Sequence, residues 1–178
     1  MNLLHLLLAA ALAVGTPWVL DLSQEAERSN WRAVNDGVMG GLSSGVIREI
    51  PDGIRFEGRI SLENNGGFAS LRRPMSKADM SAYKGVTITY KCLGVKTAFS
   101  IEPNPVWYQP NYRTALKPCD EWTTVKVPFK DFVGRQVGRP VSGKLNAEKL
   151  SHIYQFGFIT DEKREVDFAL EVRELTFY

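Results

Sequence analysis

Apolar and polar residues alternate along most of this chain. Ile54, Phe56, Gly58, Ile60 and Leu62 interleave with Arg55, Glu57, Arg59, Ser61 and Glu63. A period of two over this length predicts a strand with one face on a core and one in water. Val86, Ile88, Tyr90 and Cys92 predict a second such strand, and Thr97 to Glu102 a third, with Phe99 and Ile101 inward. Val19 to Leu22, Gly45 to Ile50, Phe68 to Arg73, Tyr112 to Lys117 and Trp122 to Val127 read the same way. So does Ile153 to Thr160, with Tyr154, Phe156 and Phe158 sharing a face. Near the end, Val166, Phe168, Leu170 and Val172 are in phase, but Leu175 and Phe177 fall on the opposite phase. That slip predicts a bulge near Arg173.

The intervening segments are short. Pro51-Asp52-Gly53 is a turn signal, and Asn146 is placed to cap one turn at Ala147 to Leu150. Pro74 to Lys84 reads as a connection with a helical turn at Lys77 to Met80, and Gly134 to Lys144 as a loop. About ten strands, no long amphipathic helix and regular turn signals make the chain all-β, a jelly-roll β-sandwich.

Two glycine-rich segments stand apart from this alternation. Asn35-Asp-Gly-Val-Met-Gly-Gly41 and Asn64-Asn-Gly-Gly-Phe-Ala-Ser-Leu-Arg72 supply tight turns. Met39 falls inside the first turn, where an apolar side chain is exposed. After the second, Ala69 and Leu71 are the natural core pair, which turns Phe68, Ser70 and Arg72 to the other face. Asp36, Met39, Asn65, Phe68, Ser70 and Arg72 are therefore read as a candidate binding site. Arg72 has a structural alternative, pairing with Glu57 or Asp36. Trp107 and Tyr108 lie between prolines on a loop, and with Tyr112 they add flat apolar area, although Trp107 and Tyr112 also suit a roof over the sandwich.

Composition narrows the partners. The 178 residues carry 22 basic and 20 acidic side chains without long runs, so charge argues for neither nucleic acid nor an anionic membrane surface. Residues 1–15 are apolar and end in small residues, which predicts a signal peptide cleaved after Ala13 or Gly15 and an exported domain over 16–178. The alternative is a membrane anchor through residues 3–20. The two cysteines, Cys92 and Cys119, suggest no metal site. Placed two strands apart, they are expected to be free thiols.

No chemistry-bearing constellation emerges. After leader removal His152 is the one histidine, no serine sits in a nucleophile motif, and no glycine pattern matches a phosphate loop. The reading is a non-catalytic module without cofactor or metal. Amides, an arginine and aromatics together fit a protein interface or a sugar.

Trp31, Asn35 to Gly41, Ser44-Gly45, Phe56-Glu-Gly58, Asn64 to Arg72, Tyr83-Lys-Gly85, Trp122, Val127-Pro-Phe129, Phe132 and Phe156-Gly-Phe158 resemble, in order and spacing, the complex I intermediate-associated protein 30 family. The resemblance covers residues 18–178. It implies a galactose-binding-like jelly roll similar to carbohydrate-binding modules, and it pairs the two glycine segments, which implies that their candidate site residues share one exposed patch. It also implies a chaperone-like assembly role toward membrane subunits of NADH:ubiquinone oxidoreductase, with glycan binding as the alternative. Cys92-Leu-Gly94 departs from the Gly-Asp-Gly-like turn of relatives, and a secretory leader points to a different compartment.

Overall fold

The computed structural model describes residues 16–160 and 162–178; the leader read at residues 1–15 lies outside them. The strands are β1 (Trp18–Asp21), β2 (Arg32–Asn35), β3 (Ser44–Ile50), β4 (Gly53–Ile60), β5 (Ala69–Ala78), β6 (Gly85–Leu93), β7 (Thr97–Glu102), β8 (Asn111–Leu116), β9 (Cys119–Pro128), β10 (Val133–Gln136), β11 (Arg139–Val141), β12 (Ile153–Thr160) and β13 (Val166–Phe177). Two helical turns, α1 (Glu25–Arg28) and α2 (Ala147–Leu150), complete the regular structure with short 3-10 turns. Asn146 does cap α2, its Oδ1 accepting from Lys149 N at 3.1 Å.

The strands form two antiparallel sheets. One runs β3-β4-β13-β6-β9, with β1 also on β13; the other runs β11-β10-β8-β7-β12-β5-β2. Their inner faces meet in one apolar core. Phe56, Tyr90, Leu170 and Phe177 come from the first sheet, and Leu71, Phe99, Phe156 and Phe158 from the second. Ring edges interlock at its centre, with Phe156 on Phe177 at 5.2 Å and Phe99 on Phe158 at 5.2 Å. Such offset contacts add to burial because ring edges are positive and faces negative.

The phase slip in β13 is real and has a use. The register shifts between Val172 and Glu174. Before it β13 pairs with β4, and after it with β1, along the same edge. The extra residue, Arg173, gives its carbonyl to Leu22 N at 2.9 Å, and its guanidinium lies 4.3 Å from the Trp122 ring. Trp122, whose place at a strand start suggests a roof over the core, lies instead on the outer face of the six-stranded sheet, between Arg173 and Lys91.

Four expectations are corrected. β5 continues through Pro74 to Ala78, and no helical turn forms at Lys77 to Met80. β2 pairs only as far as Arg72, so Pro74, which lacks an N–H, lies where that edge of β5 is unpaired. Residues 134–144 are no plain loop, because β10 and β11 form a hairpin closed by Val137 and Gly138. Both have positive φ, 47° and 76°, as a primed turn requires. Valine is an unusual residue there, which hides the signal. Leu62 is exposed because β4 ends at Ile60. Tyr154 is half-buried rather than in phase with Phe156, because β12 shifts register between Ile153 and Gln155 and Ile153 takes the core position.

Both thiols are free, but not because they are distant. β6 and β9 are neighbours, and Cys92 and Cys119 are register partners. Cys92 is fully buried, and its burial pushes the thiol pKa up. Since the thiolate is the reactive form, Cys92 should resist iodoacetamide in the native protein and react on unfolding. Half-buried Cys119 should label first. Peptide mapping showing equal native labelling of both would contradict this.

Candidate functional site

Asp36 organises the two glycine segments, but from the inside. It is 1% exposed. Its carboxylate accepts from Ser43 N (2.9 Å), Ser43 Oγ (2.6 Å), Gly67 N (2.6 Å) and Phe68 N (3.2 Å). Burial acts against its charge, yet the bonds from Ser43, Gly67 and Phe68 outweigh burial and hold the carboxyl below the usual range. The glycines make room for it. A Cβ on Gly41 would lie 2.5 Å from Asp36 Cγ, and one on Gly66 would lie 2.7 Å from Asp36 Oδ2. The two segments do meet, as the family resemblance implied, but Asp36 is a structural clamp rather than part of an exposed patch.

The other sequence-predicted residues separate. Met39 is 57% exposed, beside exposed Val38 and Leu42. Asn65 is exposed at a turn where it and Asn64 adopt left-handed φ values of 60° and 53°. Phe68 is half-buried. Ser70 lies on the outer side of β5 but is 1% exposed, its Oγ donating to Val34 O at 2.8 Å. Trp107 and Tyr108 are exposed on their loop, with rings nearly perpendicular at 86°. Tyr112 is a core residue, because it lies on the inward phase of β8 and packs into the apolar cluster. Asp36, Ser70 and Tyr112 therefore offer no exposed contact area.

Arg72 belongs to a different constellation. Its competing role as partner of Glu57 or Asp36 fails, since Glu57 pairs with Arg48 and Arg55 on the other sheet and Asp36 binds backbone and Ser43. Arg72 Nε donates to Ser70 Oγ at 2.9 Å. On the outer face of the seven-stranded sheet, register places Arg32, Arg72, Gly157, Ser100, Arg113 and Val133 in one row across β2, β5, β12, β7, β8 and β10. Ser70, Arg72, Ser100, Glu102 and Gly157 line a shallow dimple of about 10 Å³ there. The residues that face outward in this row include no aromatic. Sequence reasoning missed Arg32, Ser100 and Gly157, since only cross-strand register brings them to Arg72.

No group of three or more histidine, cysteine, aspartate or glutamate side chains that could hold a metal occurs among the described residues. No helix among them is long and apolar enough to cross a membrane.

The two antiparallel sheets closed over one core define a jelly-roll β-sandwich. The chain belongs to the complex I intermediate-associated protein 30 (CIA30) family, whose model matches residues 20–172. No curated protein matches it in sequence. Among solved structures, it is similar to the family 11 carbohydrate-binding module of cellulosomal cellulase Lic26A-Cel5E of Clostridium thermocellum. The TM-score is 0.63 at 19% identity, covering 90% of this chain and 94% of that one. A family 29 module, CBM29-2, gives a TM-score of 0.53 at 11% identity, covering 90% and 85%. The agarase AgWH50C gives 0.58 at 12% identity, covering 88% of this chain but only 24% of the enzyme. At these identities the likeness is one of fold.

Proposed function

We propose that this chain is a non-catalytic, assembly-factor-like module that binds a protein partner through the outer face of its seven-stranded sheet. The observation that carries the reading is the row holding Arg32 and Arg72. The two are direct register partners, and among the described residues neither has a carboxylate partner. Like charges opposed on one face are unfavourable, so the pair is better explained by something that neutralises it. Arginine and methionine are also enriched in protein interfaces, and Met39 stands exposed in this chain. Family membership supports an assembly role, with respiratory-complex subunits as candidate partners. The rival, glycan binding, draws on the exposed Trp107 and Tyr108. Their perpendicular rings offer no common platform for a sugar face.

The test is capture of partners from the source membranes by the wild-type chain and by Arg72→Ala. Arg72 is half-exposed, so the substitution should shift stability by no more than about 0.5 kcal/mol. Loss of a captured subunit at unchanged Tm supports the reading. A melting temperature lowered by many degrees, with capture per folded molecule intact, makes Arg72 a scaffold residue. Saturable binding on a glycan array, lost on changing Trp107 to Ala, would favour the rival.

A further inference from the structure

The dimple beside Arg72 carries a sharper message than the row as a whole. Ser100 is 5% exposed, and its Oγ has no hydrogen-bond partner. A buried hydroxyl left unpaired is unfavourable, so such groups ordinarily have a partner. Ser100 lines the dimple with Arg72, and Gly157 lies between them in register. Gly157 is sterically required, since a Cβ there would come within 2.1 Å of Leu71 O. Gly157 puts no side chain into the row between Arg72 and Ser100. Two strand spacings separate them, about 10 Å between backbones, which a long arginine side chain can lean across. The volume suits one water or one ligand oxygen, far less than a sugar ring. Glu102, the one carboxylate lining the dimple, is engaged by Gln155 Nε2. Arg113, on the far side of Ser100, gives its Nε–H to Asn111 Oδ1 at 2.7 Å.

We propose that this dimple receives a carboxylate side chain of an acidic protein segment, with Arg72 and Arg32 supplying charge and the Ser100 hydroxyl donating a hydrogen bond. The inference rests on the protein-binding reading above and names the chemistry its partner must present. A charge-assisted bond of this kind is short and strong, and arginine's planar fork favours carboxylate.

The experiment titrates the full chain with a capped octaglutamate peptide, followed by amide NMR and calorimetry. Octaglutamine and oligogalacturonate serve as the comparison probes. Octaglutamate should bind and shift the amides of Ser100, Gly157 and Arg72. Arg72→Gln should weaken it at least about tenfold, and Ser100→Ala about threefold with no loss of Tm. Glu102→Gln should tighten it by removing a like charge. Arg59→Gln, on the other sheet's outer face beside Asp167, should change nothing. Absent octaglutamate binding, equal binding by Arg72→Gln, or shifts confined to other surfaces would overturn the proposal. So would oligogalacturonate binding at the dimple without octaglutamate, which assigns an acidic glycan instead. Arg72-dependent partner capture without octaglutamate binding would end this inference while leaving the protein-binding reading standing.

Discussion

Asp36→Ala is expected to be strongly destabilising. The carboxylate is buried and accepts four hydrogen bonds that tie the loop after β2 to the loop before β5. Its removal leaves Gly67 N and Ser43 N without their acceptor inside a site that glycines have been shaped to fit. Bonds to a charged group are worth about 1.5–3 kcal/mol each on deletion, and they are not additive, so a total near 3–4 kcal/mol is expected. For a chain of this size that is a fall in Tm of roughly 6–16 °C. The effect also depends on pH. The folded carboxyl titrates below its unfolded value of about 3.9, so its contribution is complete above that value. It is lost as pH falls through the lowered folded pKa. The gap in Tm between wild type and variant should therefore be widest near neutrality and shrink in acid. Thermal unfolding at several pH values checks both parts; a gap of under about 2 °C at neutral pH would mean that the four bonds do not hold the two loops together.

Glu27→Ala should cost as much, for a different reason. Glu27 sits on α1 and takes Arg73 in a two-bond clasp, with Nε to Oε1 at 2.6 Å and Nη2 to Oε2 at 2.9 Å. Trp31 Nε1 also donates to Oε1 at 2.9 Å. The two charged side chains are 13% and 14% exposed, and the Arg73 guanidinium lies 5.5 Å from the Trp18 ring and 5.7 Å from Phe156. Removing the carboxylate strands a guanidinium at the core's edge, at a cost of about 3–5 kcal/mol. Replacing both partners should be milder, because an apolar pair of similar volume leaves no charge unmatched. Urea unfolding of Glu27→Ala and of Glu27→Ala with Arg73→Met decides the matter. If the double variant is no more stable than the single one, the stranded charge is not the cause.

These two sites show what kind of information the chain carries locally. Arg72 and Arg73 are adjacent and chemically alike, yet one is clasped near the core and the other faces outward. Strand alternation places them on opposite faces, and that was readable. Which face holds a partner was not, because Glu27 lies 46 residues away on a helical turn with no apolar pattern to announce it.

The sequence by itself determined the two-residue periodicity, hence the strands, the inward rows and even the bulge at Arg173, because backbone pleating ties side-chain direction to position along a strand. It also marked the two glycine segments as a unit. Only the tertiary structure decided what that unit is for. Asp36 lost its surface role because four donors from two distant loops converge on it, and no local rule encodes that convergence. Ser100 and Gly157 became neighbours of Arg72 because β12 inserts between β5 and β7, an order set by how the two sheets close over their aromatic core. Cys92 and Cys119 became register partners for the same reason, since the chain order of strands is not their order in the sheet. Periodicity is a property of a segment, whereas adjacency across a sheet depends on which segments pack together, and the candidate site is built from adjacency.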